Sequence, residues 1–265
     1  TNLYYPEVLV KLTQGFSEHG IRVLLFALER ESDTESVIEQ MLQYRVDGVL
    51  TAAIFTPAQL KTIANARIPV VFYNRSLQTQ LVSSVRCDQE EGERWLVDGL
   101  VNAGHKSFGI VEGPPDSVVS IERKMGALNE LKKKGITDIT TVSGDFGYTT
   151  GRECFARLLE KHGGAPDAVI AANDVMAIGC IDEARENHGL AVPDDISIVG
   201  FDGVGQARYA AYDVTTVRQP VQRMTEAAVS MLIERIKNPE LSPEKRAFSG
   251  SLIRGNSARI QSDNA

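Results

Sequence analysis

The stretch Pro166–Gly203, PDAVIAANDVMAIGCIDEARENHGLAVPDDISIVGFDG, reads as a strand, a helix and a second strand. AVIA and ISIVGF are short apolar runs rich in β-branched residues, the pattern of strands buried on both faces. Between them Asn173 and Asp174 sit where a helix is capped, and His188–Gly189 sits where one stops. Buried strands joined by helices build a mostly parallel sheet with helices on both faces. The second strand ends on Asp202, with Gly200 and Gly203 on either side. A carboxylate at such a strand end is costly unless water, a partner or a ligand meets it.

The same alternation runs along nearly the whole chain. PEVLVKLTQGFSEHG is an amphipathic helix, IRVLLFAL a strand, ESVIEQMLQYRV a helix and DGVLTAAI a strand. TPAQLKTIANA opens with Thr56 as N-cap and Pro57 at the first helical position. IPVVFYN, SSVRCD and KSFGIVEGP are further strands; EEGERWLVDGLVNAG and SVVSIERKMGALNELKKKG are helices. Near the end come the strand VTTVRQP, the helix VQRMTEAAVSMLIERIKN and a last strand, FSGSLIRGNS. The fold class expected is α/β, with two doubly wound parallel-sheet subdomains, which the 265 residues accommodate. No Gly/Ser-rich linker divides the chain, which favours several short crossings between the subdomains.

Composition narrows the function. Hydrophobic residues are 43% and charged residues 24%, as in a globular protein. The net charge of −7 lacks the basic footprint of a nucleic-acid binder. No apolar run is long enough to span a bilayer, and no basic-then-apolar leader opens the chain. Cys87, Cys154 and Cys180 form no C-x-x-C and read as buried thiols in a reducing compartment.

Motifs of catalysis are missing. GLVNAGHKS departs from a phosphate loop by the inserted His105 and by running from helix into strand. GFDGVGQAR has Arg208 where a dinucleotide fingerprint needs its third glycine. There is no G-x-S-x-G, no H-E-x-x-H and no assembly of nucleophile, base and orienter. What stands out is a set of polar and aromatic residues at the carboxyl ends of strands, where open α/β sheets bind ligands: Asp88, Phe146, Asn173, Asp174 and Asp202. Carboxylates, an amide and a ring suit a polyhydroxyl ligand.

YRVDGVL, IPVVFYNR, GHKSFGIVEGP, AANDVMAIG, VPDDISIVGFDG and VTTVRQP occur in an order and spacing that resembles the ligand-binding core of the lactose-repressor (LacI/GalR) family of bacterial transcription regulators. The resemblance covers nearly the whole chain and implies a periplasmic-binding-protein-like fold whose subdomains close on a small molecule. It implies ligand contacts for Arg123 in SIERKMGAL, for Phe146 as a stacking ring, and for Asn173 and Asp202 as hydrogen-bonding groups. Tyr4 and Tyr5 fall where the family has aromatics opening the first helix, and Asp88 is a further ligand residue. Gly200 and Gly203 are expected to clear space for a ligand at Asp202. Arg123→Ala and Asp202→Ala are expected to weaken binding and leave the fold intact. Two departures stand out: TNLYYPEV begins directly before the first helix, without the family's first strand, hinge helix and DNA-reading headpiece, and Ala52, Ala53 and Ile54 are apolar where some members place a polar contact.

The resemblance also implies domain boundaries: residues 1–103 with 219–248 in one subdomain and 104–218 with 249–265 in the other, crossed near Gly104, Val217–Gln219 and Phe248–Ser251. The function expected is that of a non-enzymatic, cytoplasmic effector sensor, the dimerisation core of a LacI-type regulator. Its effector would be a sugar, a sugar acid or a purine; no cofactor, metal or membrane is expected. Operator DNA would be met by a headpiece outside this chain, and the core would be a homodimer using RYAAYD, Arg208–Asp213. An exported solute-binding protein is the alternative.

Overall fold

The computed structural model describes residues 4–28, 34–75 and 82–260. They divide into two compact units. The first unit comprises Pro6–Cys87 and Pro220–Phe248. Its sheet is parallel, in the order β1 (Val49–Thr51), β2 (Val70–Tyr73), β3 (Ser83–Cys87) and β9 (Lys245–Phe248). Helices α2 (Glu35–Tyr44) and α3 (Pro57–Asn65) pack on one another, and α8 (Val221–Lys237) lies along β1, β2 and β3. Helix α3 starts as its sequence dictates: Pro57 is in the first turn, and Thr56 and Gln59 exchange the two hydrogen bonds of a capping box.

The second unit comprises Thr1–Tyr5, Asp88–Gln219 and Ser249–Ala265. Its elements in chain order are α4 (Gln89–Asn102), β4 (Ser107–Glu112), α5 (Val118–Lys133), β5 (Asp138–Ser143), α6 (Tyr148–His162), β6 (Ala168–Ala171), α7 (Asp174–Asn187), β7 (Ser197–Asp202), β8 (Thr215–Arg218) and β10 (Ser251–Ile253). The sheet order is β10-β8-β7-β6-β4-β5, and only the β10–β8 pair is antiparallel. Helix α4 packs on α5 and α6 on α7, which makes the sheet doubly wound. After β4 the chain first moves outward to β5 and then returns to β6 on β4's other side. The crevice at the carboxyl ends of β4 and β6 is therefore the switch point, where such sheets take ligands. His105 is buried and ties this unit together, its ring nitrogens bonding Leu100 O and Ser197 Oγ, each at 2.8 Å. The three cysteines are buried and free.

Three expectations are corrected. The crossing expected near Gly104 lies at Cys87/Asp88, so residues 88–103 leave the 1–103 segment, as do residues 1–5. The cause is packing: α4 lies on α5 and on β8 and β10, all in the second unit. Second, the expected strand at residues 21–28 has no regular structure. A strand exists through its neighbour's hydrogen bonds, and among the described residues no strand pairs with this segment. Phe26 still packs on the first unit's core, while Leu24 and Leu25 are exposed. Third, the expected last strand FSGSLIRGNS holds only β10, which pairs with β8; its first residue, Phe248, ends a separate strand, β9, that pairs with β3 in the other unit.

Candidate functional site

The carboxyl ends of β6, β7 and β8 gather a buried polar cluster in the second unit. Arg123, on α5, and Asp202, the last residue of β7, are both 3% exposed at the side chain and meet at 2.7 Å, Nη2 to Oδ1. Arg123 Nη1 donates to Ala172 O at 2.6 Å, just beyond β6, and Nε donates to Gln89 Oε1 at 2.8 Å. The guanidinium also lies 3.9 Å over the centre of the Phe201 ring, a cation–π contact. Gln219, just beyond β8, donates from Nε2 to the same Asp202 oxygen at 2.7 Å. Two charges this far from water are tolerated because each is paired and hydrogen-bonded.

Asp202 has φ 114° and Phe146 φ 70°, both on the left-handed side that favours glycine. Strained backbone of this kind persists where surrounding contacts enforce it, often at binding sites. Asn173 enforces the second: its Nδ2 donates to Phe146 O at 3.1 Å while its Oδ1 accepts from Met176 N at 2.9 Å and caps α7. Phe146 therefore sits beside the end of β6, its ring against Gly113, where any Cβ would come within 2.4 Å of a ring carbon.

The two glycines flanking Asp202 do other work than expected. A Cβ on Gly200 would lie 2.5 Å from Asp174 Oδ1, and one on Gly203 would lie 2.6 Å from the Arg218 side chain. Gly200 thus makes room for a second, fully buried acid. Asp174 accepts from Thr216 Oγ1 and from Val204 N at 2.8 Å. Burial, with the Asp202 charge nearby, pushes its carboxyl up to about 8 against the pull of those donors.

The expected site residues divide. Arg123, Asn173 and Asp202 come together, linked through Ala172 and the Arg123–Asp202 pair, with Phe146 joined to Asn173. Asp88 serves as the N-cap of α4, its Oδ1 accepting from Glu91 N at 3.0 Å. Tyr4 and Tyr5 stack edge to face at 5.4 Å and open α1 (Tyr4–Glu18). Sequence inspection missed Gln89 and Gln219. Gln219 carried a signal, a polar residue directly after the strand VTTVR; Gln89, hidden in the acidic run QEEGE, carried none. Among the described residues no group of three or more His, Cys, Asp or Glu side chains is placed to hold a metal ion.

A model of the periplasmic binding protein-like domain family matches residues 97–258. The chain is 32% identical over 260 residues to the HTH-type transcriptional regulator AscG of Escherichia coli (strain K12), covering 96% of this chain and 76% of that protein. It is 30% identical over 257 residues to the HTH-type transcriptional regulator CelR of Thermobifida fusca, covering 94% of this chain and 74% of that one. Among solved structures, a transcriptional regulator CelR–cellobiose complex matches with TM-score 0.87 at 26% identity, over 96% of this chain and 79% of that chain. The Escherichia coli transcriptional repressor ascG matches with TM-score 0.81 at 30% identity, over 96% and 94%. These relatives are transcriptional regulators. Likeness of this extent, over a sheet whose ligand end is already built, settles kinship: the chain belongs to the LacI/GalR family of transcriptional regulators and forms its non-enzymatic, effector-binding core.

Proposed function

We propose that this core senses a neutral sugar or sugar derivative through Arg123, Asn173, Asp202 and Phe146. The observation that carries the reading is the Arg123–Asp202 pair at the carboxyl ends of β6 and β7, a donor fork beside an acceptor, the chemistry that vicinal hydroxyls match. A sugar acid is less suited, because its carboxylate would compete with Asp202 for the guanidinium. Cellobiose in the complex of the related regulator supports a sugar rather than a purine. Tyr4, Tyr5 and Asp88 are weaker candidates, the last because its side chain is committed to a helix cap.

The core acts as a cytoplasmic homodimer, and operator DNA is bound by a headpiece outside these residues. Among the described residues no helix is long and apolar enough to cross a membrane. Tyr209 is 59% exposed and supplies an aromatic patch for self-association, while Tyr212 turns back to bond Asp182 Oδ2 at 3.0 Å. The test is thermal melting against a panel of neutral sugars, sugar acids, sugar phosphates and purines. A ligand that binds only the native state raises the melting temperature. A neutral sugar should do so, and a panel in which only purines or acids do would overturn the reading.

A further inference from the structure

Beside Arg123 lies a third buried acid, Glu93, that nothing so far has used. Glu93 stands on α4 where α5 crosses it: a Cβ on Gly126 of α5 would lie 3.1 Å from Glu90 Cα and 3.2 Å from Glu93 Cβ. The absence of a side chain at Gly126 brings the two helices close enough to enclose Glu93, which is 1% exposed. Its Oε2 has no hydrogen-bond partner. The carboxyl lines a cavity of about 10 Å³, the size of one water molecule, together with Glu112, Ser120, Arg123, Lys124 and Ala127.

The charged groups around that cavity are unequally engaged. From β4, Glu112 is paired with Lys124 of α5 at 3.1 Å and accepts from Ser143 Oγ at 3.2 Å. From α5, Lys124 is thereby committed, which leaves Arg123 as the cation that acts on Glu93. From β6 the lining is Ile170, an apolar side chain. On its own helix, the neighbouring Glu90 approaches the crossing with its backbone. Arg123 is already bonded to Asp202, Gln89 and Ala172.

We propose that Glu93 is a positioning residue that tunes the Arg123–Asp202 pair through a single proton. With its carboxyl neutral, the guanidinium is committed to Asp202; once the proton leaves to solvent, two carboxylates share one guanidinium, and the pair loosens. Burial pushes the Glu93 carboxyl up to about 8, so the change falls just above neutral pH. Its consequence for effector binding rests on the function proposed above; the coupling itself does not.

The experiment is NMR of the ligand-free chain, labelled with ¹³C at glutamate side-chain carboxyls and ¹⁵N at arginine, from pH 6 to 9.5. One carboxyl signal, absent from Glu93→Gln, should titrate near pH 8. The Arg123 Nε–H signal, assigned by its loss in Arg123→Lys, should move with the same midpoint, and in Glu93→Gln the movement should shrink to the part that the raised Asp174 carboxyl beside Asp202 imposes. A Glu93 signal that titrates in the ordinary carboxylate range overturns the proposal. So does an Arg123 signal that ignores Glu93, or one that moves equally in Glu93→Gln. Should Glu93→Gln fail to fold, Glu93→Met serves as the reference. Because no effector is added, failure here is distinct from failure of the sugar panel.

Discussion

Arg123→Ala should cost far more stability than a binding-site variant normally does. Arg123 and Asp202 lie 79 positions apart in sequence and meet at 2.7 Å, both nearly excluded from solvent. Removing the guanidinium strands Asp202 with Gln219 as its neutral donor, and it takes donors from Gln89 Oε1 and Ala172 O. Breaking one side of a buried pair costs about 3–5 kcal/mol, against a total stability on the order of 5–15 kcal/mol. With a urea slope of about 2–3 kcal/mol per molar, the midpoint should fall by at least ~1 M. Arg123→Met combined with Asp202→Leu should regain most of that loss, because the pair is replaced by packing apolar groups. The expectation that either alanine variant leaves the fold untouched is thus revised. Affinity is better tested with Asp202→Asn, which keeps the shape and an acceptor and should weaken sugar binding roughly ten- to a hundredfold. Urea unfolding followed by circular dichroism decides the stability question. A wild-type midpoint for Arg123→Ala would show that the pair contributes nothing net and that the reasoning fails.

Glu93→Gln should remove about half of the pH dependence of stability that the two raised acids, Glu93 and Asp174, impose. A folded-state carboxyl raised from 4.5 to about 8 keeps its proton while the unfolded chain releases one, so wild-type stability falls as pH climbs through that window. The share of Glu93 is about 1.4 kcal/mol per pH unit, and urea midpoints at pH 5.5 and 7.5 that differ equally in both proteins would contradict it. Gly200→Ala should drive a methyl group into Asp174 and lower the melting temperature by several degrees, for a cost of about 1–3 kcal/mol; an unchanged melting curve would mean that Asp174 moves aside freely. Tyr209→Glu should convert the proposed dimer to a monomer of 29.0 kDa by light scattering, and a variant that stays dimeric would place the interface elsewhere.

The βαβ grammar was legible because each buried strand of the second unit is a short apolar run between turn residues, as in AVIA and ISIVGF. Helix starts at Thr56 and Asn173 were legible for the same local reason: capping is settled within three residues. What escaped depends on distant partners. Residues 21–28 carry a strand's composition, but a ladder needs a neighbour that local sequence does not specify. Helix α4 follows the first unit in sequence and packs in the second. Asp202 was singled out as an acid needing a partner, yet nothing near it in sequence could name Arg123. Gly200 and Gly203 were correctly marked as places of close approach, but what approaches is Asp174 and Arg218. The resemblance supplied Arg123, Asn173, Asp202 and Phe146 together; it could not show that Asp88 spends its carboxylate on a helix N-terminus.

The order in which the chain visits its two units bears on how it is made. The first unit begins at Pro6 and is not complete until Phe248, because its edge strand β9 and its long helix α8 come from the far end of the chain. Met224, Ala228, Leu232 and the other buried residues of α8 thus reach the nascent sheet only after the whole central stretch of the second unit has left the ribosome. At about 5–20 residues per second, β1 to β3 wait on the order of ten seconds or more with one face uncovered. The central unit, continuous from Asp88 to Gln219, can gather most of its sheet in that interval. The nascent chain is therefore most exposed to aggregation and to chaperones through β1 to β3, and a stop codon between β3 and α8 should yield an insoluble product.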